Sequence, residues 1–511
     1  MMKLTSVMTL LLAVGTLAVG QEVYRCQFSP EETAEWQLGD LARVVEADGD
    51  RALEVSIPAG KAGTYFASRP FPIEQYRGKW LNMTCRIRFE DVTQPADSWN
   101  GTKFMLTYVK GDGKTSWNHS TGQHGSSDWQ LASRFFRVDD GASSGQFQLG
   151  LQDCSGKVWF KDVVITLIDM ANVYPRLVPE DYRIEYSERV SKEPVRRGMM
   201  SPHFGPNTLD KDLPVLASWG ANIVRWQMSR NWHKRNDNQD LPEYFRWIDE
   251  KIAQAKQGLD RCHELGLRVI LDLHVAPGGR NLDGRMNMFD NREYADAFVE
   301  TWRRFASAVK GHPALYGYDL INEPQQLGVA FAVDYLSLQH EAAKVVRAID
   351  PQTPIIIESN EWDSATAFSY LSPIPMKDVI YQAHMYFPGE YTHQGVSNRK
   401  VGLKYPDPER NWDKEALRRH LQPVRDFQLK HGARILIGEF SAARYAEGAE
   451  HYLADCIAIF EEYGWDWTYH AFRESPIWSV EMTGTVDKAV PATADTPRKR
   501  VLLEGFKNNQ R

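Results

Sequence analysis

The sequence predicts an α/β architecture: a (β/α)8 barrel over residues 196–511, preceded by an all-β sandwich over residues 21–170. Three observations carry this prediction. Beyond residue 196, short apolar runs alternate with stretches of helical period, the pattern of βα units around a parallel sheet. A glycine recurs between a helical stretch and the next apolar run, at Gly220, Gly266, Gly311, Gly432 and Gly464. A helix that turns back beneath a sheet needs a left-handed residue there, which glycine reaches without steric cost. Before residue 170 the period is two instead, and clusters of Gly, Asp, Ser and Pro break the chain into short strands.

Residues 1–20 read as a signal peptide: Lys3, an apolar run from Val7 to Val19, and the small-residue site Ala18-Val-Gly20 before Gln21. A secreted or periplasmic location follows. The alternative, an uncleaved anchor, is opposed by the shortness of the run, and no other segment reaches transmembrane length. The sandwich strands are expected at Ala52–Ile57, Leu81–Phe89, Lys103–Tyr108, Gln146–Leu151 and Val158–Ile165. Trp99 and Trp117 fall in Asn/Gly/Ser-rich loops, where exposed rings can stack on a glycan. An exported chain permits one disulfide among Cys26, Cys85 and Cys154, while Cys262 and Cys456 lie on apolar helix faces as core thiols. Residues 171–195 are polar and rich in Pro, Glu and Arg, which reads as a linker.

Eight barrel strands are expected, each followed by a helical pattern: Gly198–Phe204, Asn222–Gln227, Arg268–His274, Leu315–Glu323, Pro354–Asn360, Val379–Tyr386, Arg434–Phe440 and Trp465–Phe472. The clearest helix runs from Pro242 to Leu265, with Phe245, Ile248, Ile252, Ala255, Leu259 and Cys262 as one buried stripe. A doubly wound open sheet would call for a glycine-rich phosphate loop, and neither GxGxxG nor GxxxxGK occurs. With a net charge of −7 and no basic block, nucleic acid is not an expected partner. No CxxC or HExxH motif occurs, and no apolar strand of the barrel region leads into a Gly-x-Ser-x-Gly elbow, so neither a metal, a cofactor nor a serine nucleophile is expected. A monomer is expected.

Polar groups end otherwise apolar strands: Arg225, His274, Asn322 with Glu323, Glu358 with Asn360, His384 with Tyr386, Glu439, and His470. In such a barrel, active sites gather at the C-terminal strand ends. Two glutamates closing separate buried strands, Glu323 in Ile321-Asn-Glu-Pro324 and Glu439 in Ile437-Gly-Glu-Phe440, are the minimum for retaining glycoside hydrolysis. Glu358 and Asn360 are read as structural.

On these motifs, residues 196–511 resemble the catalytic domain of glycoside hydrolase family 5, with Asn-Glu-Pro at strand four and Gly-Glu-Phe at strand seven. The resemblance implies that Glu323 is the general acid/base and Glu439 the nucleophile. It further implies that Arg225 contacts the nucleophile, that Asn322 binds the sugar 2-hydroxyl, and that Tyr386 donates to the nucleophile. His274 and His384 match the family's strand-three and strand-six histidines. One departure stands out: the family's strand-eight tryptophan is replaced by His470, with Trp478 in the following loop expected to fold back in its stead. Trp226, Trp232, Trp362 and Trp412 are further candidate sugar platforms. The segment Gly156–Ile165 resembles the last strand of jelly-roll carbohydrate-binding modules. The implied substrate is a β-linked polysaccharide, β-1,4-glucan ahead of mannan or mixed-linkage glucan. A non-catalytic glycan-binding barrel and a transglycosylase are the alternatives.

Overall fold

The computed structural model describes residues 20–510 apart from residues 98, 121–122, 170–172, 202–203, 231–237 and 282–283. The expected signal peptide therefore lies outside the described residues, save Gly20. So does Trp232. Two compact units divide the chain, one up to Val173 and one from Tyr174.

The first unit is built from ten antiparallel strands: Gly20–Cys26 (β1), Ala42–Ala47 (β2), Asp50–Ile57 (β3), Gly63–Phe71 (β4), Trp80–Val92 (β5), Gly101–Val109 (β6), Thr115–His119 (β7), Gly125–Arg137 (β8), Ser143–Cys154 (β9) and Gly156–Ile168 (β10). One sheet runs β2-β3-β10-β5-β8 with β1 also on β10, and the other runs β4-β9-β6-β7. Alternation decides which side chains meet between them. Phe147 from β9 takes Tyr24, Trp36 and Phe104 around its ring at centroid distances of 5.6–6.0 Å.

Two expectations are corrected here. Trp117 lies on the edge strand β7, opposite Thr107, and not in a loop. Its segment is polar because an edge strand with one wet face needs no apolar run. Nor is there a disulfide: Cys26, Cys85 and Cys154 are buried free thiols. Their cross-strand partners are Val163, Ala132 and Gly63, so no two cysteines face each other.

The second unit is a closed parallel barrel of Arg197–Ser201 (β11), Ile223–Gln227 (β12), Arg268–Asp272 (β13), Leu315–Asp319 (β14), Ile355–Glu358 (β15), Val379–Met385 (β16), Arg434–Phe440 (β17) and Asp466–Tyr469 (β18). The outer helices are Leu213–Ser218 (α1), Leu241–Glu264 (α2), Arg292–Val309 (α3), Tyr335–Ile349 (α4), Lys414–His431 (α5), Ala449–Tyr463 (α6) and Pro497–Phe506 (α7). All five junction glycines have positive φ, between 66° and 92°. No long helix follows β15, contrary to expectation; a left-handed turn over Glu361–Asp363 and the 3-10 segment Ala365–Ser369 take its place. Hydroxyl residues there compete for backbone hydrogen bonds, as when the Ser364 side chain accepts from the Thr366 amide, and Pro373 and Pro375 cannot continue a helix.

The stretch read as a linker is, from Tyr174 onward, laid against the barrel. Ile184 donates its amide to the His431 carbonyl, Ser187 to the Asp378 carboxylate, and the Tyr186 hydroxyl to the Val379 carbonyl. Among the described residues, no helix is long and apolar enough to cross a membrane.

Candidate active site

Every second residue of a barrel strand points into the lumen, and this periodicity splits the interior into two layers. The lower layer is largely hydrocarbon: Ile223, Ile270, Tyr316, Ile356, Ile380 and Leu436 form one buried cluster. Two residues further along, four of these strands present Arg225, Asp272, Glu358 and Gln382, and three residues along, past a register shift, β14 presents Asp319, all fully buried, and β17 Glu439.

Arg225 is the hub. Its Nε donates to Asp319 at 2.7 Å and its Nη1 to Glu439 Oε1 at 2.9 Å. Its Nη2 donates to Glu358 at 2.7 Å and to the Asn322 side-chain oxygen at 3.0 Å, and lies 3.3 Å from Asp272. Burial works against its charge, but Asp272, Asp319, Glu358 and Glu439 together hold the guanidinium protonated. A fixed planar fork suits this task where a flexible ammonium would not.

Glu439 accepts a second hydrogen bond, 2.7 Å, from the Tyr386 hydroxyl. Burial alone would raise its pKa. The positive charges of His384, His470 and Arg225 overcome that and hold it well below the usual carboxylate range. His384 shows the converse. Burial opposes its proton, yet Glu439, Glu323 and Asp363 raise its pKa to about 9. Its Nδ1 then donates to Glu323 Oε1 at 3.0 Å. One carboxylate oxygen each of Glu323 and Glu439 and a ring nitrogen of His384 all lie within 4.8 Å of one another.

His274 places Nδ1 2.8 Å from Asp272 and Nε2 within 3.4 Å of the Asn322 amide. Asn322 is thus oriented from both ends, by Arg225 and by His274. His470 sits where β18 ends, with Nε2 2.8 Å from Glu474 and its ring centroid 6.3 Å from that of Tyr386. Burial disfavours its charge, but Glu474 and Glu439 raise its pKa. Trp478 does fold back, with its ring 5.7 Å from His470 and 5.0 Å from His393, yet it is only 9% exposed. All nine candidate residues therefore come to one end of the barrel.

Glu323, with His384 and Tyr386, opens onto a cleft of about 530 Å³ bounded by Glu361, Trp362, Phe387, His393, Arg399 and His420. Trp362 is 41% exposed, and the Arg280 guanidinium lies 4.5 Å from its ring centroid on one face. Its backbone, with those of Glu361 and Asp363, is in the left-handed region. Of the other platform candidates, Trp226 is fully buried against Phe204 and Trp412 packs on the core.

The sequence reading did not single out Asp272, Asp319, Gln382 or Arg280, and it set Glu358 aside. The first three interrupt apolar strands, and that was a usable signal: a charge or amide inside a fully buried strand needs a partner across the lumen. Arg280 is in a loop and gives no such sign. Burial raises the pKa of Asp319 to about 6 and of Asp363 to about 8, so protons are shared among the buried carboxyls. Glu358, Asp363 and His384, and separately Asp272, Asp319 and Glu358, also fall within metal-binding range of one another. Arg225 already fills the centre of the Asp272–Asp319–Glu358 group.

The model of the cellulase family, glycosyl hydrolase family 5, matches residues 189–475. Endoglucanase C of Acetivibrio thermocellus is 26% identical over 302 residues, which span 52% of this chain and 85% of that protein. Cellodextrinase A of Ruminococcus flavefaciens is 25% identical over 190 residues, 37% of this chain and 54% of that one. Among solved structures, Thermotoga maritima Cel5A in complex with mannotriose is 22% identical and covers 61% of this chain and 97% of its own, with a TM-score of 0.46. The chain belongs to glycosyl hydrolase family 5 and is an O-glycosyl hydrolase acting on β-linked glycans.

Proposed function

We propose that the protein is a retaining β-glycanase in which Glu323 is the acid/base and Glu439 the nucleophile, with β-1,4-glucan its first-choice substrate. The observation that carries this reading is the approach of the two carboxylates to within 4.8 Å across the mouth of the barrel. Retention needs carboxyl groups about 5–5.5 Å apart, whereas inversion needs a wider gap to admit water. A buried, strongly ionised Glu439 suits attack on the anomeric carbon.

In the first step the Glu439 oxygen bonds to that carbon, the bond to the leaving oxygen breaks, and the Glu323 proton passes to the leaving oxygen. In the second, water adds to the same carbon, gives a proton to Glu323, and the glycosyl–Glu439 bond breaks. Asn322, held by Arg225 and His274, is placed to donate to the sugar 2-hydroxyl as charge develops. Preference for β-1,4-glucan over mannan draws on the endoglucanase names of the relatives.

Sugar release from β-glucans and β-mannans by the parent protein and by Glu439→Ala tests the reading. The substitution is expected to lower the rate by about ten-thousandfold, with the parent's products first appearing in the starting anomeric configuration. Equal release by both proteins would sink it.

The sandwich is proposed to hold the same glycan. Trp99 and Trp117 are 56% and 60% exposed. Trp117 and His119 on β7 share a sheet face with Thr107 on β6 and with Gln146 and Gln148 on β9. Neutral amides beside bare indoles suit the hydroxyls and C–H faces of a sugar chain. In gels containing β-glucan, the inactive Glu439→Ala protein should be retarded, and adding Trp117→Ala should release it. Export through residues 1–20 completes the proposal, and a mature N-terminus at Gln21 checks it.

A further inference from the structure

Glu358 is one of the buried acids to which the mechanism gives no part. It ends β15, is fully buried, and reaches into the site without facing the cleft. Its Oε2 accepts the backbone amide of Glu323 at 2.6 Å. Its Oε1 accepts from Arg225 at 2.7 Å and from the Gln382 amide. Glu358 is itself held: Gln339 on α4 accepts its amide at 3.1 Å and donates to its carbonyl at 3.0 Å.

What Glu358 grips is unusual. Glu323 has φ = 51°, a left-handed conformation that a residue with a side chain adopts only when its surroundings impose it. The carbonyl of the same residue accepts from Arg280 Nη2 at 2.8 Å. Both backbone polar groups of Glu323 are thus clamped, one by a carboxylate and one by a guanidinium.

We propose that Glu358 is a positioning residue for the reaction. It fixes the backbone of Glu323, so that the acid/base carboxyl stands at the right distance from the leaving oxygen. Through Arg225, which donates to both Glu358 and Glu439, it also ties the placement of one reacting carboxylate to that of the other. This rests on the two-glutamate reading given above. A purely structural role would make Glu358 one more counter-charge for Arg225, and its loss would then weaken every step alike.

The two cases separate by leaving group. A glycoside with a poor leaving group needs the proton of Glu323, whereas a 2,4-dinitrophenyl β-glycoside leaves without one. Glutamine at 358 offers one acceptor oxygen to three donors, so Glu358→Gln must release at least one of them. For a poor leaving group, kcat/KM of Glu358→Gln is expected to fall about a hundredfold, the scale of a 1 Å misplacement, while kcat/KM for the dinitrophenyl glycoside falls only a few-fold. Its kcat on the dinitrophenyl glycoside, limited by Glu323 acting as base, should rise when azide replaces water as the attacking group. Glu358→Asp keeps the charge beside Arg225 but withdraws the oxygen from the Glu323 amide, and covers the case in which Glu358→Gln does not fold.

Equal losses on both substrates with no response to azide would overturn the inference, as would parent-like kinetics. Glu439→Ala is the control. If it keeps activity, the two-glutamate reading fails. If it is inactive and Glu358→Gln behaves as the parent, only the role of Glu358 falls.

Discussion

On four strands the two layers of the barrel lumen differ by two residues, and on β14 and β17 by three. Ile223 and Arg225, Ile270 and Asp272, Ile356 and Glu358, and Ile380 and Gln382 are neighbours on one strand face, about 6–7 Å apart. Below, six apolar side chains close the barrel floor. Above, one guanidinium binds four carboxylates and an amide. The lower layer is stabilised chiefly by burial, with the Tyr316 hydroxyl donating to Asp466 at 2.6 Å. The upper layer keeps charges out of water and holds them only by mutual pairing. The difference teaches that stability and chemistry occupy separate floors of one structure, so each can be perturbed with the other as its control.

The sharpest way to break that contrast is to remove the hub. Arg225→Leu leaves Asp272, Asp319, Glu358 and Glu439 facing one another without their cation. Unfolding stability at neutral pH should fall by about 3–5 kcal/mol, measured by denaturant titration. The loss should shrink at pH 5, where the crowded acids can take up protons, and grow at pH 8. A loss independent of pH would mean that packing, not charge, governs the upper layer.

The lower layer should behave oppositely. Ile356→Ala removes a fully buried side chain from the floor and should cost about 2–5 kcal/mol, the same at both pH values. The kcat of the folded protein should remain close to that of the parent, because the site above is held by its own hydrogen bonds. A large fall in kcat would show that the floors are mechanically coupled.

The smallest expected effect is the pH dependence of the parent's own stability. His384 is raised from its ordinary value to about 9, so its stabilising contribution is complete below pH 6.5 and is lost as pH rises towards 9. Asp363, raised to about 8, and Asp319, raised to about 6, also keep protons that the unfolded chain releases near pH 4. All three act in the same direction, and above pH 7, where His393 and His420, lowered to about 4 by burial, are neutral in folded and unfolded chain alike, the Tm should decline from pH 7 to pH 9. A Tm that rises over this range would contradict the proton placement given for the upper layer.

Much of the site was legible because its residues end apolar strands. Arg225, Asn322, Glu323, Glu439, His384 and Tyr386 could be found by reading where each hydrophobic run stops, and the structure joins them through direct hydrogen bonds. Glu358 was equally visible but ambiguous. Nothing local tells a carboxylate that caps a helix from one that grips the backbone of a residue 35 positions away. Trp362 was one of four tryptophans with similar surroundings in sequence. Exposure in the cleft singles it out, whereas Trp226 is packed and Trp412 lies on the core. The cysteines misled because export permits disulfides, but pairing requires two strands to bring thiols face to face.

Strand period, helix stripe and junction glycine are properties of neighbouring residues, and these by themselves determined the eight-stranded barrel, the sandwich before it and the strand ends that carry polar groups. Which of those groups meet, and at what distance, depends on how eight strands close on one another, because strand stagger sets the height of each side chain in the lumen. Only the tertiary structure therefore decided that one arginine serves four acids, that His384 is held positively charged between two glutamates, and that His470 is paired with Glu474.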